Sequence, residues 1–161
     1  MHFVHLGIHT EFSITESIVR IPDLIKAAVN DEMPALALTD LSNLHAAVKF
    51  YTKCLDKGIK PILGSNIRLN DAEHKVTLLS MTNKGWRSLT EIVSRGFIEG
   101  QQLDIPCVQK EWVLEQNQDI IVLLGMHSDV GKMLNSSTPQ KADALLEEWT
   151  EKIGNRVYLA L

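Results

Sequence analysis

The chain has 161 residues, 45% of them hydrophobic, enough to bury the core of one domain and too many for a disordered tail. Sixteen Lys and Arg against twenty Asp and Glu give a formal charge of −4 with no basic stripe, so direct duplex DNA binding by this piece is not expected, because that affinity depends on clustered cations. No run approaches the roughly 20 apolar residues of a spanning helix, the start MHFVHLGIHTEF lacks a signal-peptide pattern, and Cys54 and Cys107 form no CxxC or disulfide framework, which leaves a cytoplasmic location with two reduced thiols, buried or half-buried.

Short apolar runs rich in β-formers alternate with segments of helical period, the pattern of βα units and a largely parallel sheet. The first expected strand is Phe3 to His9. Ile21, Leu24, Ile25, Ala28 and Val29 repeat at three-to-four spacing behind Pro22, predicting a helix over Pro22 to Glu32. Pro34 restarts the chain, Ala35 to Thr39 reads as a buried strand, and Leu44, Ala47, Val48, Tyr51 and Leu55 mark one face of a helix ended by Gly58. Pro61 to Leu69 makes the third strand. Asn70 and Asp71 supply turn chemistry before the run Val76 to Met81, joined either by a hairpin or by a loop between neighbouring strands. Trp86, Leu89, Ile92, Val93 and Phe97 outline the next helix, and Gly100 to Val108 is a loop carrying Pro106. Lys110 to Gln116 is a short helix, Ile120 to Leu124 a strand, and Ser128 an N-cap for a helix through Leu134. Ala142, Leu145, Leu146, Trp149 and Ile153 trace a longer helix ending at Gly154. The chain finishes inside a last strand, Arg156 to Leu161, so the sequence reads as a fragment.

Residues with chemistry gather at strand ends, where ligands bind in α/β sheets. On a strand, His5, Gly7 and His9 would share a face and could present imidazoles to a metal; the alternative is that His5 is a core or surface residue and His9 a hydrogen-bonding one. Asp40, closing the run Ala37 to Asp40, either binds a cation or caps the following helix, the commoner use. Gly64 in KPILGSN marks a close backbone approach or, more commonly, a bulge. Glu73, His74 and Lys75 read as a solvated turn. No Walker sequence, GxGxxG, GxSxG or HExxH occurs, and spacing alone identifies no reaction.

Five blocks, FVHLGIHTEFS, MPALALTDLSNLHAAVKFY, GIKPILGSNI, VTLLSMTNKGWRSLTEIVS and IIVLLGMHSDVGKML, together resemble in order and spacing the PHP domain of the bacterial DNA polymerase III alpha-subunit family. The resemblance spans nearly the whole chain. It implies an α/β fold, an incomplete distorted (β/α)7 barrel of mostly parallel strands. Residues 1–161 would be the N-terminal portion of a single PHP domain, with the remaining PHP strands and the polymerase domains absent. It also implies that His9, Glu16 and Asp40 stand at remnant metal-site positions. Gly7 takes the place of the first histidine of an HxH pair, Leu41 that of a histidine after Asp40, Asn66 that of a glutamate, and Lys75 that of a histidine before the fourth strand. His74 lies one residue away, but a shift of one turns a strand side chain to the other face. Gly7 and Leu41 offer no donor, and Lys75 adds a positive charge where cations would sit, so no catalytic residue and no bound metal are expected. His9, Asp40 and Glu16 then hold strand ends together by hydrogen bonds, or keep one weakly bound ion.

By the same resemblance the segment is a non-catalytic scaffold of a replicative DNA-directed DNA polymerase, a nucleotidyltransferase that uses Mg2+. Its expected partners are the rest of the alpha subunit and the proofreading exonuclease subunit, with DNA reached only through the parent polymerase and no membrane contact. The alternative is a metal-dependent PHP-type phosphoesterase drawing on His5, His9, Asp40, His74 and His127. Because a barrel closes by pairing its last strand with its first, two open edges are expected, near Phe3 to Ile8 and near Val157 to Leu161, with self-association as the consequence.

Overall fold

The computed structural model describes residues 3–70, 73–136 and 140–160. Pro22 in the first turn and apolar residues at helical spacing form α1 (Ile21–Asn30), whose inward stripe is Ile21, Ile25 and Ala28. Strand β1 (Ala35–Leu38) is buried along its whole length. Helix α2 (Ala47–Asp56) turns Ala47, Phe50 and Cys54 inward, and Lys57 and Gly58 end it, Gly58 at φ +73°. Strands β2 (Lys60–Leu69) and β3 (His74–Ser80) then pair antiparallel from Gly64 opposite Leu79 to Leu69 opposite His74, which makes their connection a hairpin. Asp71 of the expected turn lies outside the described residues.

The Thr82 side chain accepts from the amides of Lys84 and Gly85 and so starts α3 (Asn83–Ile98). The expected loop Gly100 to Val108 instead holds a small hairpin, β4 (Gln101–Gln102) and β5 (Ile105–Pro106), turned by Leu103 and Asp104 at φ 49° and 64°. Helix α4 (Lys110–Glu115) leads to β6 (Ile120–Leu124). As expected, Ser128 caps α5 (Asp129–Leu134) by accepting from the Gly131 amide. Helix α6 (Gln140–Ile153) and a short turn lead to β7 (Val157–Leu159).

The main sheet has the order β1-β2-β3-β6-β7. β1 runs parallel to β2 and β6 parallel to β7, while β3 is antiparallel to both of its neighbours, so every strand but β3 points the same way and the sheet is mostly parallel. One face carries the helices and two apolar clusters. Ile21, Leu36, Leu38 and Phe50 anchor the first. Ile67, Val76, Leu78, Ile92, Val122 and Trp149 anchor the second, with Leu145 and Leu146 packed against it. The other face is concave and encloses a space of about 1070 Å³.

Phe3 to His9 is not a strand. It lies alongside β1, where Ala37 N–H donates to His5 O and Thr39 N–H to Ile8 O, but Ile8 N–H donates to the Thr39 hydroxyl at 2.7 Å and the ladder stops there. A side chain thus takes the bond that a carbonyl would have completed. The bulge reading of Gly64 is also corrected. Its register opposite Leu79 is regular, and a Cβ at this position would run into the Leu78 carbonyl oxygen, so glycine here permits the close approach of β2 and β3. Both cysteines are free and buried. Phe3 and Leu6 beside β1, and Tyr158 and Leu159 on β7, expose apolar surface at the two margins of the sheet, while Leu161 lies outside the described residues.

Candidate functional site

The strand end after β1 organises the site. Asp40 is 1% exposed, and its carboxylate accepts from the Thr10 amide at 2.6 Å, from the Thr10 hydroxyl at 2.8 Å and from the Ser13 hydroxyl at 2.7 Å. Ser13 Oγ in turn accepts from the Leu41 amide at 2.9 Å, and the Ser65 hydroxyl donates to Asp40 O at 2.8 Å. Asp40 is therefore a clamp on the turn that follows His9. It neither caps α2, whose first residues have no side-chain cap, nor keeps a carboxylate oxygen free of protein donors.

The clamped turn folds back through Thr15 at φ 77° and through Ser17, whose hydroxyl donates to His9 O at 2.8 Å. This carries Glu16 between two partners. Glu16 Oε2 lies 3.0 Å from His9 Nδ1 and Oε1 lies 2.6 Å from Lys75 Nζ. Lys75 belongs to β3, not to a solvated turn, and Lys75, Thr77 and Leu79 line the concave face while Val76 and Leu78 enter the helical side. By that alternation His74 falls on the helical side with Val76 and Leu78, opposite Lys75, as the one-residue shift requires. Burial pushes the Glu16 carboxyl up, but the hydrogen bond and charge of Lys75, with smaller contributions from His9 and Arg68, outweigh it and leave the group below its ordinary value.

Gly7, Leu41 and Asn66 occupy the other positions singled out in the sequence. Gly7 is exposed and a Cβ there would meet nothing within 4 Å. Leu41 is 9% exposed and bridges the backbone of Asn66. Asn66 Nδ2 donates to Thr77 Oγ1 at 3.2 Å, whereas its Oδ1 is buried without a partner. His5 stacks edge-on with Phe3, ring centres 4.7 Å apart. His127 borders the concave face, and its carbonyl accepts from the Lys75 amide at 2.8 Å. Among the described residues, no three of His, Cys, Asp and Glu converge closely enough to hold a metal ion.

Two groups escaped the sequence reading. Thr10 and Ser13 are buried hydroxyls at 0% and 2% exposure; the available signal was a pair of small hydroxyl residues just after the HxH-like block. The second is Lys110, whose Nζ lies 2.9 Å from Asp129 Oδ2, 2.7 Å from Glu148 Oε2 and 4.8 Å from the centre of the Trp149 ring, tying α4 to α5 and α6. Nothing local in sequence marks it.

The PHP domain family model matches residues 5–161. Among curated relatives, the DNA polymerase III subunit alpha of Pseudomonas aeruginosa is 41% identical over 98% of this chain and that of Pseudomonas fluorescens 39% over 99%. The Escherichia coli protein of the same name is 33% identical over 99% of the chain. The chain spans 14% of the length of each of these relatives. Two solved structures share the fold. One is a two-domain protein from Bacteroides vulgatus containing a predicted PHP-like metal-dependent phosphoesterase, with TM-score 0.58 and 15% identity, covering 91% of this chain and 41% of that one. The other is an amidohydrolase from Chromobacterium violaceum, with TM-score 0.56 and 10% identity, covering 97% and 75%.

Proposed function

The chain belongs to the PHP domain family, and from that membership we propose that it is the N-terminal PHP segment of a bacterial DNA polymerase III alpha subunit, serving as a non-catalytic scaffold with a degenerate metal site. The relatives of that name, aligned along the whole chain, support the parent assignment. In this reading residues 1–161 are one portion of a PHP domain. The Mg2+-dependent nucleotidyl transfer of DNA replication belongs to the remainder of the cytoplasmic parent chain, through which alone the segment meets DNA. Among the described residues, no helix is long and apolar enough to cross a membrane.

The observation that carries the scaffold reading is the Lys75 ammonium set against Glu16. A cluster of divalent cations needs several oxygen or imidazole donors per ion. Here Asp40 is engaged by Thr10 and Ser13, and Glu16 by His9 and Lys75. That donor set does not fit a hydrolytic metal cluster. Docking of a separate proofreading exonuclease subunit has a surface to use: Val48, Tyr51 and Leu55 form an exposed i, i+3, i+7 stripe on α2, 80%, 46% and 54% exposed.

The test is turnover. Assayed on phosphomonoesters and on 3′ ends of DNA with Mg2+, Mn2+ or Zn2+, the chain should release no phosphate and no nucleotide. Hydrolysis abolished by His9→Ala would replace the scaffold with the phosphoesterase reading. Val48→Glu with Leu55→Glu should weaken co-elution of the parent alpha subunit with its exonuclease subunit; undiminished co-elution would remove α2 as the docking face.

A further inference from the structure

We propose that the groove between α1 and α2 docks an acidic amphipathic helix of a partner protein, which lays apolar side chains on the groove floor and sets carboxylates against the lysines on its rim. Each of the two helices is ten residues long. The space between them is about 410 Å³, and Pro22, Ile25 and Val29 of α1 supply its apolar lining. These three recur at i, i+3 and i+7, one row along the helix, and Val29 is left 41% exposed. Lys26 of α1, Lys53 of α2 and Lys57 at the end of α2 surround the row, with Asp56 as the single acid in the lining.

The charges select the occupant. Lys49, Lys75, Lys110 and Lys132 each reach a carboxylate. Among the described residues, Lys26, Lys53 and Lys57 form no ion pair, although acids outnumber bases in the chain. Lys53 and Lys57 stand one turn apart and repel each other, so the rim is a local positive excess on a chain of formal charge −4, and an acidic ligand relieves it. The lining holds no arginine to fork a phosphate and no aromatic ring to stack a base, which favours carboxylates carried on an apolar helix over a nucleic acid. On α2, Lys53 lies on the opposite side of the buried row Ala47, Phe50 and Cys54 from Val48, Tyr51 and Leu55. The groove is therefore a second surface, independent of the exonuclease stripe and of any turnover.

The experiment is fluorescence anisotropy of the full chain with a fluorescein-labelled synthetic peptide of about 15 residues, leucines spaced i, i+4 on one face and glutamates on the other. Its counterpart carries lysine in place of every glutamate. The acidic peptide should bind saturably and the basic one should not, and raising the salt from about 0.05 M to about 0.5 M should weaken binding several-fold. Lys53→Glu/Lys57→Glu should weaken it about tenfold and Val29→Ser about fivefold, with the thermal midpoint unchanged. Val48→Glu/Leu55→Glu should leave it as in wild type. If the double lysine variant melts lower, Lys26→Glu on the other helix decides the same question. Equal binding of the two peptides, binding untouched by the groove variants, or binding lost in Val48→Glu/Leu55→Glu would each overturn the proposal. So would displacement of the peptide by inorganic phosphate at constant ionic strength, since the rim would then hold any anion. Self-association in sedimentation that Lys53→Glu/Lys57→Glu abolishes would also overturn it, by making a second copy the occupant.

Discussion

Replacing Asp40 by alanine tests whether this residue is a structural clamp. The carboxylate is 1% exposed and receives three donors, the Thr10 amide and the Thr10 and Ser13 hydroxyls. A hydrogen bond to a charged acceptor contributes about 1.5–3 kcal/mol, and a buried donor left without a partner costs about 1–3 kcal/mol. The two hydroxyls can rotate to other acceptors, and Ser13 still receives the Leu41 amide. The Thr10 amide cannot turn away. The loss is therefore well below the sum of three bonds, about 3–4 kcal/mol for Asp40→Ala. Asp40→Asn keeps the shape and one acceptor and should lose about half as much. Urea unfolding at pH 7 with an unchanged m-value measures both, and hydrogen exchange should show the amides of residues 10–17 opening first. A loss under about 0.5 kcal/mol for Asp40→Ala, the ordinary effect of a surface substitution, would refute the clamp. So would a difference between wild type and variant that grows when zinc is added.

Lys110→Met should cost about 2–4 kcal/mol in thermal unfolding, because it removes the buried ammonium beside Asp129 and leaves that carboxylate to the neutral Trp149 indole and Val130 amide donors. Glu148→Gln, whose carboxylate is 47% exposed, should cost less than about 1 kcal/mol. Burial pushes the Cys54 thiol up to about 11, so at pH 8 the native chain should show no fast-reacting thiol towards a disulfide reagent and two after denaturation. The Glu16 carboxyl is held below its ordinary value of 4.5, so the stability it contributes is present above that pH and is lost as pH falls through the lower folded value. The stability difference between wild type and Lys75→Met should be level from about pH 6 to 8 and shrink once the medium is more acidic than the ordinary carboxylate range; a difference unchanged at pH 3 would contradict the ion pair.

Much of the architecture was legible because it is local. Helices α1, α3 and α6 announce themselves by apolar residues three and four apart, and β6 by its uninterrupted β-branched and leucine run, whereas of the stripe expected on α2 Val48, Tyr51 and Leu55 are exposed and Ala47, Phe50 and Cys54 are the residues turned inward. The Ser128 cap follows from one side chain and one turn of backbone. The five blocks carried the family, which the match over residues 5–161 shows. The short hairpin of β4 and β5 was not legible, since two-residue strands have no period and Leu103 is not a usual occupant of a left-handed turn. Phe3 to His9 has the alternation of a strand, but a ladder belongs to two chains, and Thr39 settles it with a hydroxyl. The resemblance carried by the five blocks, not spacing or periodicity, is what singled out His9, Glu16, Asp40 and Lys75. Only the tertiary structure decided that Asp40 faces Thr10 across 30 residues and that Lys75 faces Glu16 across 59. Periodicity and caps are written in neighbouring residues, whereas the partner of a half-buried charge is chosen when distant strand ends come together and each carboxylate takes the nearest donor that relieves its desolvation.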